Sequence, residues 1–225
     1  MTRVKILLIA TMIVGAFGFV AVPKVWALFT AETSNMSVTA ASGTFTMNLQ
    51  VNGEATNCFS YSAGANADNV NSSCTPLRTD TVANELYPGD SATATVAVEN
   101  AGSVAASDLR VFMPGGCTFQ KTASAAAGNG GNPCSTGGWM FSIQETTSGT
   151  KCWYPVVQNS ACPFNADTLS TFSTRTTATS GLSLGSGPAA QATRTFVIGV
   201  QVPSNAANTL QGEAAVFALA WHMTS

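Results

Sequence analysis

Apolar and polar residues alternate with a period of two over several stretches of this chain. Residues 43–51 read GTFTMNLQV, and residues 91–100 read SATATVAVEN. The alternation recurs in TRTFVIGVQV at 193–202. Successive side chains of a β-strand point to opposite faces of the sheet, so each stretch predicts a strand with one buried face.

Turn signals separate the alternating stretches, among them Asn52-Gly53 and the LYPGD sequence at 86–90. The chain after residue 27 shows seven or eight such strands at short spacing and no amphipathic helix. This pattern is typical of an antiparallel β-sandwich or jelly roll. We therefore expect an all-β, jelly-roll-like fold with little helix.

Three further stretches carry more specific expectations. A short strand at 152–157 contains Pro155, which favours a position at a sheet edge. The Ser/Thr-rich stretch at 168–179 is expected to be either a strand or an exposed ribbon. The stretch at 213–223 is apolar on both faces, which predicts one continuous central strand.

The first 27 residues have the organisation of a secretory signal peptide. Arg3 and Lys5 precede a mostly apolar run at 6–22. Val25 and Ala27 form the Val-x-Ala motif that a signal peptidase recognises. We expect cleavage after Ala27, export from the cell and no stable membrane insertion afterwards. An uncleaved membrane anchor is an alternative, although the apolar run is at the lower limit for spanning a bilayer. A pilin-type leader is a third reading, but this segment lacks the acidic residue usually found just inside the apolar helix of such leaders.

The charge content separates this chain from ordinary soluble domains. Only 9% of its residues are charged, against about 25% in typical domains. Three of the nine basic residues lie in the leader, so six remain against eleven acidic residues, a net charge of about −5. Nucleic acid and anionic membranes require clustered Lys and Arg, so neither is an expected partner. A weakly charged, Thr-rich surface favours a subunit that assembles.

All six cysteines lie after the leader, and an even number in an exported chain predicts three disulfides. They are Cys58, Cys74, Cys117, Cys134, Cys152 and Cys162. Fifteen connectivities are possible in principle. Pairing of consecutive cysteines is favoured, because each consecutive pair brackets a segment rich in turn residues. A cysteine metal site requires pairs such as C-x-x-C, which this sequence lacks, so no metal or cofactor is expected.

Four stretches resemble the TasA and camelysin-like family of exported biofilm-matrix proteins, which a dedicated signal peptidase processes. ALFTAETSNMSVTAASGTFTMNLQVNG at 27–53 is similar to the start of that family, and the stretch at 87–111 resembles its PGD hairpin. The stretches at 185–203 and 210–223 resemble its last two strands. The three segments bracketed by cysteines depart from the family pattern.

The resemblance implies a jelly-roll subunit that polymerises outside the cell by donating its N-terminal strand to the next subunit. An open sheet edge accepts an extended chain whose side chains fit, which is independent support for such assembly. The implied division is a signal peptide at 1–27, a donor segment at 28–42 and a sandwich domain at 43–225. The expected partners are copies of the same chain and the signal peptidase. The anchoring side chains of the donor strand would be Leu28, Phe29, Met36 and Val38.

Two other functions compete with the filament. The same family includes proteins described as metalloendopeptidases, but this chain has one histidine, His222, and no H-E-x-x-H motif. No catalytic residue is therefore predicted. A secreted ligand-binding or adhesive module is the other alternative, with Trp139, Trp153 and Tyr154 as a possible sugar platform, although aromatic residues in alternating strands more often belong to the core.

Overall fold

The computed structural model describes residues 30–33, 47–51, 58–59, 86–121, 131–164, 169–206, 210 and 213–225. Within these residues the chain forms antiparallel strands and one four-residue helix, which confirms the all-β class. In chain order the elements are β1 (Thr30–Thr33), β2 (Met47–Val51), β3 (Cys58–Phe59), β4 (Ser91–Asn100), β5 (Asp108–Phe112), β6 (Cys117–Lys121), β7 (Met140–Glu145), β8 (Lys151–Tyr154), α1 (Leu169–Phe172), β9 (Leu182–Ser183), β10 (Thr193–Gln201), β11 (Glu213–Phe217) and β12 (Ala220–Thr224).

The strands form two larger sheets and one strand pair. The six-stranded sheet has the order β3-β2-β4-β10-β7-β8, and the four-stranded sheet has the order β1-β12-β5-β9. Strands β11 and β6 pair separately. The described residues thus contain twelve strands, more than the seven or eight expected. The additional ones are β1, β6, the two-residue strands β3 and β9, and the division of the last expected strand into β11 and β12.

The buried faces of the two larger sheets share one hydrophobic core. The alternating residues predicted to face inward do so: Met47, Val96, Val98, Phe196, Ile198 and Val200 are all buried. Strand β12 contributes Trp221, whose ring centroid lies 5.0 Å from that of Phe196 in β10. This aromatic contact joins the four-stranded sheet to the six-stranded sheet. The edge position expected for the strand containing Cys152 is also confirmed, since β8 ends the six-stranded sheet.

The prediction of one continuous strand at 213–223 is wrong. The chain forms β11 up to Phe217 and resumes as β12 at Ala220. Strand β11 pairs with β6, whereas β12 lies between β1 and β5. A central strand that is buried on both faces has apolar residues on both sides. Two short strands that belong to different sheets can have the same sequence pattern. Only the strands with which they pair distinguish the two cases.

The prediction of a strand or ribbon at 168–179 is also wrong at its start. Leu169 and Phe172 form the ends of α1, and both side chains are fully buried. Their separation of three residues places them on one side of a helical turn. The Phe172 ring then packs against Phe141 of β7 at 4.7 Å between centroids. Burial of these two side chains selects a helical turn that the Ser/Thr-rich composition does not indicate.

A buried asparagine organises the turn after β4. The Asn100 amide nitrogen donates to the carbonyl oxygens of Val104 and Pro188, at 2.7 and 3.2 Å. Its side-chain oxygen accepts from the amide of Gly102 at 3.0 Å. These bonds satisfy the polar atoms of the Asn100 side chain, which is fully buried. The sequence indicated a turn here, and the structure shows that Asn100 also ties it to the segment before β10.

Candidate assembly interface at the β12 edge

The outer edge of β12, along which β1 lies, is the candidate assembly interface. The register runs from Thr30 opposite Thr224 to Thr33 opposite Trp221. The strand nearest the start of the described chain therefore pairs with its last strand. The sequence led us to expect that the segment at 28–42 pairs with the next subunit. In the single chain of this structure, residues 30–33 pair with β12 of the same chain, because that edge of the four-stranded sheet is open to them.

Core packing holds β12 in place. Trp221 and Met223 are fully buried and alternate with the partly buried His222 and Thr224. At the end of the strand, the amide of Ser107 donates to the carbonyl oxygen of Thr224 at 2.7 Å. The β12 edge is consequently a rigid template, because its inward side chains are fixed independently of the strand that lies outside it.

A row of polar residues crosses the other face of the four-stranded sheet. His222, Arg110 and Ser183 occupy directly opposite positions on β12, β5 and β9. Such residues share one face of an antiparallel sheet. Beside this row, Asp108 accepts hydrogen bonds from Arg110 Nε at 2.6 Å and from Ser183 Oγ at 2.8 Å. The outward face of β12 thus lies beside a charged pair.

Two groups in this area have shifted pKa values. Burial lowers the pKa of His222, and the nearby charge of Arg110 lowers it further, against a smaller opposing effect of Asp108. Burial on its own would raise the pKa of Asp108, but the hydrogen bonds from Arg110 and Ser183 and the Arg110 charge outweigh it. The pKa of Asp108 therefore lies below its ordinary value.

We expect acid to destabilise the fold in two stages. As the pH falls below 6.5, the ordinary pKa of histidine, the unfolded chain binds a proton at residue 222 before the folded chain does. Stability therefore falls with pH through that window. The lowered pKa of Asp108 extends the loss to more acidic solutions. Melting temperatures measured from about pH 7.5 to about pH 3.5 should fall in both windows, and His222→Gln should flatten only the first. A melting temperature that is constant down to about pH 5 in the wild-type protein would contradict the role of His222.

Several residues singled out in the sequence lie outside the described residues. They are the cleavage-site residues Val25 and Ala27, the donor-strand residues Leu28, Phe29, Met36 and Val38, and Cys74. Strand β1 lies near the start of the proposed donor segment at 28–42.

Two of the predicted disulfides are formed. Cys117 is bonded to Cys134, and Cys152 is bonded to Cys162. Both bonds join consecutive cysteines, as the bracketed turn-rich segments indicated. The third predicted pair includes Cys74, so it lies outside the described residues, and Cys58 forms part of β3. Two disulfides fit an oxidising, extracellular environment.

The aromatic residues proposed as a sugar platform do not share a surface. Trp139 is 1% exposed and Tyr154 is 4% exposed, so both belong to the core. Trp153 is half-buried, and its ring lies 3.6 Å from the Lys151 ammonium nitrogen. Its Nε1 donates to Glu145 at 2.9 Å. An aromatic platform made of these three residues is therefore excluded, and the core assignment of Trp139 and Tyr154 is confirmed.

The structure adds an ion pair that the sequence did not indicate. Arg194 of β10 binds Glu145 of β7 through two hydrogen bonds, Nε to Oε1 at 2.8 Å and Nη2 to Oε2 at 2.6 Å. Both side chains are nearly buried. In the sequence each is one charged residue within an alternating strand, and nothing in the sequence pattern indicates that the two strands are neighbours.

Groups suited to metal binding are not found in the described part of the chain, where no three His, Cys, Asp or Glu side chains cluster. In that same part, no helix has the length and apolar character needed to cross a membrane.

Comparison with other proteins adds no relative: no protein-family model matches this sequence, and no curated protein matches it.

Proposed function

We propose that this chain is the jelly-roll subunit of an extracellular or cell-surface filament, in which β1 of one subunit pairs with β12 of the next. The observation that supports this proposal best is the pairing of β1 with the edge of β12. The strand is four residues long, lies near the start of the chain and has no second strand partner among the described residues.

Exchange of β1 between subunits preserves the same backbone pairing. A strand that pairs with β12 in its own chain makes the same contacts with β12 of an identical chain, so exchange costs little contact energy. Thirteen residues, 34–46, connect β1 to β2. An extended segment of that length reaches about 40 Å. This reach is sufficient for β1 to extend to a neighbouring subunit.

The geometry of such an exchange favours fibres. Each subunit donates β1 to one neighbour and accepts β1 of the other neighbour at its β12 edge. The donated surface and the accepting surface are therefore different. A head-to-tail contact of this kind generates open filaments when its rotation does not close a ring. The exported chain also carries little charge, so electrostatic repulsion between neighbouring subunits is weak.

The other edges of the two larger sheets are poorer sites for assembly. Strands β3 and β9 end their sheets and are two residues long. Short edge strands offer few backbone groups to an incoming chain. At the remaining edge of the six-stranded sheet, β8, the chain folds back, and the backbone of Gln158 forms an antiparallel bridge with Cys152. Among the edges of the two larger sheets, the β12 edge is thus the longest template available once β1 leaves it; β6 and β11 are equally long but belong to the separate strand pair.

Electron microscopy tests the proposal directly. Negative-stain images of residues 28–225 are expected to show long fibres, and images of residues 39–225 are expected to show only monomers. The reason is that the shorter chain keeps the β12 edge but has no strand to donate. Monomers from both chains would contradict the filament and favour a binding module. Fibres from both would contradict the role of β1.

A cross-link distinguishes pairing within a chain from pairing between chains. Thr30 and Thr224 stand opposite each other, and opposite positions in a sheet are close enough for a disulfide. In fibres of the Thr30→Cys/Thr224→Cys variant, a non-reducing gel should show a ladder of covalent oligomers. The two single-cysteine variants serve as controls and should give monomers. A monomer band from fibres of the double variant would show that β1 stays in its own subunit.

A further inference from the structure

Strand β8 ends the six-stranded sheet, yet part of its outer edge is occupied. The amide of Cys152 donates to the carbonyl oxygen of Gln158 at 2.8 Å, and the amide of Gln158 donates back to Cys152 at 3.1 Å. These two bonds form an isolated antiparallel bridge beyond β8. The chain therefore folds back six residues later and covers the amide and carbonyl groups of Cys152, which an edge strand normally leaves open.

The returning segment is fastened at several points. The Cys152–Cys162 disulfide closes it. The amide of Cys162 donates to Oε1 of Gln144 in β7 at 3.0 Å. Within the segment, Nε2 of Gln158 donates to the carbonyl oxygen of Ala161 at 2.8 Å. The residues at 155–161 thus form a loop that the disulfide holds against the edge, and we call it the edge loop.

The sequence of this region is well suited to pairing if the edge loop moves away. Strand β8 ends at Tyr154, and the edge loop that follows begins with Pro155, Val156 and Val157; the two valines are 47% and 60% exposed. Exposed apolar residues beside an open sheet edge promote pairing between copies. Two identical edges pair antiparallel in a self-complementary way, since each residue contacts its counterpart on the other copy.

We propose that the edge loop, held by the Cys152–Cys162 disulfide, prevents β8 from pairing with β8 of a second copy. This inference is independent of the proposed filament, because the β12 edge belongs to the other sheet. In a filament, the edge loop keeps β8 from pairing and so keeps neighbouring fibres separate.

The test compares two disulfide variants of residues 28–225. Cys152→Ser/Cys162→Ser releases the edge loop, and Cys117→Ser/Cys134→Ser removes a disulfide that is not on the β8 edge and serves as the matched control. Hydrogen exchange of the amides at 152 and 158 should become roughly ten-fold faster in the first variant only, because two hydrogen bonds are weakened. Light scattering and negative-stain images at equal concentration should show larger particles for that variant than for the wild type: fibres joined side by side if the wild type forms fibres, and dimers or larger particles if it stays monomeric.

Each other outcome overturns the proposal. Fast exchange at 152 and 158 without larger particles would mean that an open β8 edge does not pair. Unchanged exchange would mean that the disulfide does not hold the edge loop. Should the first variant fail to fold, Gln158→Pro keeps the disulfide and removes the amide that donates to Cys152, and it should also give larger particles than the wild type. Particles no larger than those of the wild type would then contradict the proposal.

Discussion

Replacing Arg194 with methionine is expected to lower the free energy of unfolding by about 3 kcal/mol, because it leaves a nearly buried carboxylate without its cation. The Arg194 and Glu145 side chains are only 12% and 13% exposed. Arg194 Nη1 also donates to the carbonyl oxygens of Leu184 and Ser186, at 3.1 and 2.7 Å. One guanidinium therefore joins β10 and β7 to the segment after β9. Urea denaturation monitored by tryptophan fluorescence measures the loss.

The Asp108–Arg110 pair provides a matched control for this change. Its Nε–Oδ2 distance is also 2.6 Å, but the Arg110 and Asp108 side chains are 35% and 28% exposed. Solvent screens such a pair, so Arg110→Met is expected to cost at most about 1 kcal/mol. Equal losses at the two positions would mean that burial does not determine the strength of these pairs. A loss below about 1 kcal/mol at Arg194 would mean that this pair contributes little to holding β10 and β7 in place.

Trp221→Ala is expected to lower the free energy of unfolding by about 3 to 5 kcal/mol, as large-to-small changes at buried aromatic positions do. The Trp221 ring is fully buried and packs on Phe196. Its removal opens a cavity between the two sheets next to the β12 edge. We also expect fibre formation to fail in this variant, because β12 loses the packing that fixes its position. Thermal unfolding and electron microscopy measure the two effects.

Two further variants separate the causes of that loss. Trp221 Nε1 is buried and has no hydrogen-bond partner, so Trp221→Phe removes an unsatisfied donor while it keeps an aromatic ring. Its cost should be no more than about 1.5 kcal/mol, since relief of the unpaired donor offsets part of the lost volume. Tyr87 is 58% exposed, and Tyr87→Ala should change stability by about 0.5 kcal/mol at most. A loss at Tyr87 similar to that at Trp221 would contradict an effect of core packing.

The proposed filament and the edge loop give the two sheets different roles. The four-stranded sheet offers β12, whose edge exchanges strands in the proposal. The six-stranded sheet ends at β8, where the edge loop covers the backbone of Cys152. A fibre subunit needs both features, because unrestricted pairing at every edge yields aggregates. In this proposal, the disulfide between Cys152 and Cys162 therefore stabilises the fold and also prevents β8 from joining the assembly.

Local patterns in the sequence were sufficient for the elements whose burial alternates. The strands around Val96, Ile198 and Met47 were predicted correctly, since one buried face leaves a period of two in any sequence. Pro155 indicated an edge, because proline cannot donate to a neighbouring strand. The Cys117–Cys134 and Cys152–Cys162 bonds follow the turn-rich segments between their cysteines.

The all-β class, the inward faces of the long strands and the two described disulfides were thus determined by the sequence itself, because each depends on residues close together along the chain. Only the tertiary structure decided the split between β11 and β12, the helical turn at Leu169–Phe172 and the Arg194–Glu145 pair. It also decided which strand β1 joins. Each of these depends on which distant segments become neighbours, and a strand carries the same alternation whichever strand it pairs with.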